Sequence, residues 1–422
     1  MNDWVKTANP TDDWKRSNPD VVIYLPQGGD LNDGDNEHFL VFEAPKSDEL
    51  LATWNQSTVE AHGDNHVVLA RSSDGINWSE PQWIAGTHSG TDEPQASWQF
   101  PVVTQSGRIY CFFTKAAQGV PGGLSGIMGG VYSDDDGVTW TGGGEIRVPP
   151  AFGKPSDPSL ETGGFIVWQI PIRDSSGRGI AGYTLWDKEN QIGSLHFMRF
   201  ENIDDDPEIA DIRVSWLSNG RKGIMLSRYV IPQGCEEPAL ALLPDRRLFV
   251  TMRTLTGYIW YSVSDDDGET WRDPEPMRYM DDGEPIKHPR APCPIYRLED
   301  GRYMLLFFNN DYYARNELYG DELPEKHPDI KTGPVWSYRR PAFIAVGECH
   351  PNAHQPIWFS KPKQILDTDG IPVGPKGTCE IATYTSLTHH KGRRTLWYPD
   401  RKYYLLGKHV TDEMLADMKV EA

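Results

Sequence analysis

The chain has 422 residues with 61 acidic against 41 basic side chains, a formal charge of −20, which repels nucleic acid and anionic membrane surfaces; any anionic ligand must be held by locally placed arginines. Forty glycines, 33 prolines and 15 tryptophans describe a turn-rich, aromatic-rich β protein rather than a helical one. Five cysteines, an odd number with no CxxC spacing, indicate neither a disulfide framework nor a zinc cluster, and no metal or cofactor is expected.

Along the chain, Met1 to Lys15 is polar and lacks the apolar core of a leader, and no apolar run is long enough to cross a membrane. As written, the chain is expected to be cytoplasmic, or periplasmic or secreted if a signal has been removed. Tyr24-Leu25-Pro26 is followed by His38-Phe39-Leu40-Val41-Phe42, a stretch of strand character. His62-Gly63-Asp64-Asn65-His66 gathers a carboxylate and two imidazoles in a turn, and the absence of a helix there argues against zinc.

Three segments then repeat: Ser72-Ser73-Asp74-Gly75-Ile76-Asn77-Trp78, Ser133 to Trp140 (SDDDGVTW) and Ser264 to Trp271 (SDDDGETW). The pattern suits a hairpin turn, because aspartate side chains bond nearby backbone N–H groups and glycine takes positive φ. The tryptophans lie 62 and 131 residues apart, which predicts one degenerate copy between the second and the third. A second repeat is a Gly-Arg or Arg-Arg turn before an apolar strand, at 107–108, 177–178, 246–247, 301–302 and 392–393, with His38 to Phe42 as its first member. Six members predict six units, each longer than the ~40 to 45 residues of a compact four-stranded blade. The largest candidate insertion runs from Tyr312 to Tyr338.

The second half adds Glu237-Pro238 before a strand ending in Met252-Arg253, then Arg339-Arg340-Pro341, then Thr383-Tyr384-Thr385. Two guanidiniums can hold a sugar carboxylate through charge-assisted forks. A phenol polarised by a carboxylate can attack an anomeric centre without bringing another anion beside an acidic substrate.

Together with the Asp-rich turns, these segments resemble the sialidase superfamily, whose Asp-box (BNR) repeats cap hairpins on successive blades of a β-propeller. The resemblance implies an all-β fold of six blades, with seven left open, as one domain over residues 1–410 and a tail over 411–422. It implies an exo-acting glycoside hydrolase whose partner is an oligosaccharide or polysaccharide bearing an acidic sugar. In that scheme Tyr384 is the nucleophile, Glu237 polarises it, Arg253 and Arg340 clamp the carboxylate, and Asp64 protonates the leaving oxygen, with His66 a neighbouring substrate contact. Tyr24-Leu25-Pro26 stands where the family carries Arg-Ile-Pro, so Tyr24 replaces the first arginine and a different acidic sugar or ring orientation follows. Two alternatives stay open: a uronate lyase working by β-elimination, for example at rhamnose-glucuronate linkages, and a non-catalytic glycan-binding propeller.

Overall fold

The structure is a computed structural model that describes residues 12–149, 164–187, 192–217, 223–226, 233–311 and 338–421. Among the described residues its strands are short, buried on both faces near the centre, and connected by hairpins, and they form six antiparallel blade sheets arranged as a β-propeller, with a separate two-stranded ribbon of Met225–Leu226 and Gln233–Gly234. Blade 1 runs Asp35–Glu43, Leu50–Ser57, His66–Ser72, Gln82–Gly86, and blade 2 runs Gln95–Val103, Ile109–Ala116, Ile127–Ser133, Thr141–Arg147. Blade 3 contains Gly164–Ile166, Gly179–Asp187, Ile192–Phe200 and Val214–Leu217, with Ile172–Arg173 added on its second strand. Blade 4 comprises Glu236–Leu242, Leu248–Arg253, Trp260–Ser264 and Glu275–Pro276. Blade 5 has Ile295–Arg297, Tyr303–Phe307, Ala342–Cys349 and Ile357–Phe359, with Lys363–Leu366 on the third strand. Blade 6 takes Ser386–His390, Arg393–Asp400 and Tyr404–His409 from the C-terminal end, and Val21–Tyr24 from the N-terminal end pairs with the last of these to close the ring.

The core explains why the blades need each other. It divides into clusters that span neighbouring blades, such as Phe100, Phe112, Tyr183 and Phe200 between blades 2 and 3, or Trp168, Ala239, Phe249, Tyr303 and Tyr384 across blades 3 to 6. Each fully buried aromatic of this kind contributes roughly 1.5 to 3 kcal/mol relative to exposure, and an isolated blade would leave it in water. The burial gradient within a blade follows: Leu50–Ser57 is wholly buried, whereas most of the outer strand Thr141–Arg147 of blade 2 is exposed.

The repeated turns connect the third and fourth strands of blades 1, 2 and 4. In each, the serine hydroxyl accepts from the glycine N–H (2.8 to 2.9 Å) while an aspartate accepts from backbone N–H groups further on, Asp135 from Thr139 and Asp266 from Thr270. Gly137 and Gly268 sit at φ of 76° and 88°, where a Cβ would press on Leu69 and Ile180 of the preceding blade. The closing tryptophans pack across blades too: Trp271 stacks on Phe197 at 4.3 Å and Trp78 meets Trp397 edge-on at 5.3 Å. Between the second and third copies, blade 3 makes the same connection with two short 3-10 turns, Ile203–Asp205 and Ile209–Asp211.

All five basic turns join the first and second strands of blades 2 to 6, and they count the blades at six rather than seven. His38 to Phe42 differs from the expectation: it belongs to the first strand of blade 1, and the strand equivalent to the others is Leu50–Ser57. Of the candidate insertion, residues 312–337 lie outside the described residues. The tail forms one helical turn, Asp412–Leu415, capped by Thr411, and Leu415 and Met418 pack into the core of blades 5 and 6.

Candidate active site

The first strands of the blades face the propeller axis, and those of blades 1, 4, 5 and 6, through Leu40, Leu240, Ile295 and Ser386, line a cavity of about 510 Å³ together with Gln169 of blade 3. Three of those strands carry the same irregularity at one end. The register shifts between Glu37 and Leu40 in blade 1, between Ser97 and Phe100 in blade 2, and between Glu236 and Ala239 in blade 4. At each bulge the second residue adopts a left-handed backbone: His38 at φ 51°, Trp98 at 52° and Glu237 at 47°. Tyr384, just before the first strand of blade 6, has φ 68°. Non-glycine residues in this region carry strain that surrounding contacts must hold, and bulges of this kind re-aim side chains beside functional sites.

The re-aimed side chains meet. The Tyr384 hydroxyl donates to Glu237 Oε1 at 2.8 Å, and Arg253, on the strand paired with that of Glu237, bonds to the same oxygen through Nη1. Arg253 Nε lies 2.9 Å from Glu236 Oε2, and Glu236 is forked by Arg290 at 3.0 to 3.2 Å. Arg339 donates to Glu380 at 2.8 Å and to the Arg290 carbonyl at 3.1 Å. On the other side, His38 stacks on the Tyr384 ring at 4.0 Å, and Lys402 Nζ stands 5.3 Å from its centroid. Lys402 is held by Glu37 at 2.7 Å and Glu60 at 2.9 Å.

Burial controls the electrostatics. Burial and the negative charge of Glu237 raise the Tyr384 phenol, so it is protonated and donates. Burial alone would raise the Glu237 carboxyl, but Arg253 and Arg339 bring it below its ordinary range, leaving a carboxylate ready to accept a proton. Burial likewise opposes ionisation of Glu380, and Arg339 and Lys402 pull it down to about 2. His38 is pushed down to about 4 by burial and is neutral at pH 7. Asp35, beside Glu37, is the carboxyl that burial raises well above its usual range.

Several polar atoms in this cluster have no hydrogen-bond partner among the described residues: both nitrogens of His38, Glu237 Oε2, Glu380 Oε1 and Trp168 Nε1. Trp168 is fully buried, with its ring 6.1 Å from that of Tyr384. Unsatisfied buried groups cost about 1 to 3 kcal/mol each, so their convergence fits a place where a polar ligand or ordered water is received.

The structure therefore brings Tyr384, Glu237 and Arg253 together, and it places the other sequence candidates elsewhere. Arg340 is outside the cluster, because its guanidinium is forked on Asp367 at 2.7 Å; its neighbour Arg339 takes the inward position. Tyr24 lies on the outermost, closing strand of blade 6, where its hydroxyl donates to Asp33 at 2.6 Å, so it does not fill the place of a first arginine. Next to Tyr384 stands His38 instead. Asp64 accepts from the hydroxyl of Thr58 at 2.5 Å and stands 3.3 Å from His62, while His66 Nδ1 approaches the Asp64 carbonyl at 3.3 Å. Together with Tyr24, both line a separate cleft of about 740 Å³ on blade 1. The loop bearing Asp64 also bears Glu60, which reaches the axial cluster through Lys402.

Sequence reading missed His38, Glu37, Glu236, Arg290, Arg339, Glu380 and Lys402. One signal was present: Glu37-His38 and Glu236-Glu237 occupy the same bulge positions, so aligning the blades strand by strand would have paired His38 with Glu237.

A crystal structure of a protein of unknown function from Dyadobacter fermentans matches 93% of this chain and 97% of its own at 15% identity, TM-score 0.58. The NanB sialidase from Streptococcus pneumoniae matches over 93% of this chain and 70% of its own at 13% identity, TM-score 0.59. The intramolecular trans-sialidase from Ruminococcus gnavus matches over 95% and 98% at 13% identity, TM-score 0.60. At such identities the likeness establishes the fold, an all-β, six-bladed, sialidase-like propeller. No curated protein matches the chain by sequence. The sequence profile of the BNR repeat-like domain matches residues 48–326, more than half of the chain, and the protein belongs to that family of Asp-box β-propellers.

Proposed function

We propose that the protein is a retaining glycoside hydrolase acting on a terminal acidic sugar, with Tyr384 as nucleophile. The observation that carries this reading is the 2.8 Å bond from the Tyr384 hydroxyl to Glu237, whose carboxylate Arg253 also holds. As the phenolic oxygen attacks the anomeric carbon, its proton passes to Glu237 Oε1, which Arg253 keeps ionised beforehand. A neutral nucleophile suits an anionic substrate, since a carboxylate in its place would repel the sugar's own charge.

The substrate carboxylate is assigned to Arg253 and Arg339, each of which has one Nη without a hydrogen bond among the described residues. The other guanidinium nitrogens are already turned toward Glu236, Glu237 and Glu380, and this fixes the forks in place before substrate arrives. Because Asp64 lines the separate cleft, the proton for the leaving oxygen is assigned to Asp35, beside Glu37, whose carboxyl burial raises well above its usual range. The test is leaving-group dependence across aryl glycosides of glucuronate and sialate. Replacing the true donor by Asn abolishes turnover of poor leaving groups while sparing nitrophenyl substrates, and equal losses across the series would reject the assignment.

One observation favours a second reading, a uronate lyase. His38 is neutral and buried against Tyr384, with Nδ1 3.9 Å from Glu37 and no hydrogen bond at either nitrogen among the described residues, as a base for proton abstraction beside a carboxylate requires. An unsaturated uronate absorbing in the ultraviolet, formed without uptake of water, distinguishes it from hydrolysis.

A further inference from the structure

The cleft on blade 1 is a second place where ligand chemistry converges, and its lining differs in kind from that of the axis. Among the described residues only four large hydrophobic side chains are exposed, and two of them, Leu31 at 51% and Trp83 at 38%, line this one cleft. Trp83 lies on the outer strand of the blade, with His88 tilted against it at 5.1 Å. The exposed amides of Asn32 and Gln118 border the same space. Its volume of about 740 Å³ falls within the ~300 to 1,000 Å³ of small-ligand sites.

The charges decide the class of ligand. No lysine or arginine occurs among the described residues lining the cleft, whereas Asp64 and Glu80 both do, in a protein already at −20. Burial lowers the His66 imidazole, so it adds no compensating charge at neutral pH. The axial cluster differs in kind, because Arg253, Arg290, Arg339 and Lys402 converge on it, each paired with a carboxylate. The cleft, with carboxylates and no lysine or arginine among its described lining, therefore disfavours an acidic sugar.

We infer that the blade 1 cleft is a binding site for an uncharged sugar ring, distinct from the axial cluster, in which the exposed indole of Trp83 stacks on the C–H face. Leu31 extends the apolar platform, and the Asn32 and Gln118 amides, with the carboxylate oxygens of Asp64 and Glu80, bond the hydroxyls. The site does not depend on the axial chemistry. A neutral segment of a glycan docks here whether or not Tyr384 turns anything over.

The experiment titrates the full chain with lactose, cellobiose, maltotriose and L-rhamnose, and with glucuronate as charged comparison, using saturation-transfer NMR and calorimetry. The expected result is saturable binding of at least one neutral saccharide, about tenfold weaker in Trp83→Ala. The same saccharide should bind more weakly to Leu31→Ser and unchanged to Tyr384→Phe, while glucuronate binds less well. Both Trp83 and Leu31 are exposed, so their variants fold. Absence of binding by all four neutral saccharides, equal binding by wild type and Trp83→Ala, or preference for glucuronate would each overturn the inference. Loss of binding in Tyr384→Phe would do so as well, by showing that the axial cluster was being measured.

Discussion

Replacing Tyr384 by Phe removes one hydroxyl and nothing else. The ring keeps its stack on His38 at 4.0 Å, its contact with Trp168 at 6.1 Å and the Lys402 ammonium at 5.3 Å. What disappears is a single bond to a carboxylate that Arg253 still satisfies on the same oxygen. Such a bond is worth about 1.5 to 3 kcal/mol. With ~2.1 cal/mol/K per residue, the unfolding entropy of 422 residues is on the order of 0.9 kcal/mol/K, so the variant should melt only about 2 °C below wild type. Its kcat on an acidic-sugar glycoside should instead fall by about 10³-fold or more, roughly 4 kcal/mol of transition-state stabilisation. The assay pairs a thermal melt with initial rates at saturating substrate. A variant that hydrolyses within about tenfold of wild type, with the melt as described, would refute the nucleophile assignment.

His38 gives a pH-dependent prediction. Its folded pKa of about 4 lies below the ordinary value of ~6.5, so its stabilising contribution is complete above pH 6.5 and is lost as pH falls toward 4. Between pH 7.5 and 4.5 this amounts to about 2 to 3 kcal/mol, which His38→Phe should remove from the pH dependence of urea unfolding; an unchanged slope would contradict the burial argument. Arg339→Met strands the fully buried Glu380 and should cost about 3 to 5 kcal/mol and acidic-substrate binding. Arg340→Met breaks a quarter-exposed pair with Asp367, costs at most about 1 kcal/mol and leaves KM unchanged, as chemical denaturation and kinetics would register. Gly268→Ala forces a Cβ to within 3.0 Å of Ile180 at positive φ and should destabilise by about 1 to 2 kcal/mol without altering KM.

The legible parts of this protein were those written in short local codes. The serine-aspartate-glycine-tryptophan turns name themselves because their hydrogen bonds are internal to eight residues, and the basic turns count blades because each blade repeats one hairpin. Tyr384, Glu237 and Arg253 could be singled out by motif, and the structure brings them within bonding distance. Arg339 and Arg340 are adjacent and chemically identical, so only the path of the backbone determines which one faces Glu380 and which one Asp367. His38 lay hidden for a related reason. A bulge shifts the two-residue alternation, and no periodicity in the sequence shows that His38 faces the axis in left-handed geometry. Tyr24 was misplaced because the closing strand comes from the start of the chain, ahead of blade 1, and sits at its outer edge.

The central claim is that Tyr384 forms a covalent bond to an acidic sugar. Its most direct test is intact-protein and peptide mass spectrometry after incubation with 2-deoxy-2-fluoro-glucuronyl fluoride and with difluorosialic acid, which slow release of a glycosyl-enzyme. The account predicts a mass increase of one glycosyl unit on the peptide bearing Tyr384, absent from Tyr384→Phe. Turnover of natural glycans to an ultraviolet-absorbing unsaturated uronate, with no adduct on Tyr384, would contradict it and transfer the chemistry to His38.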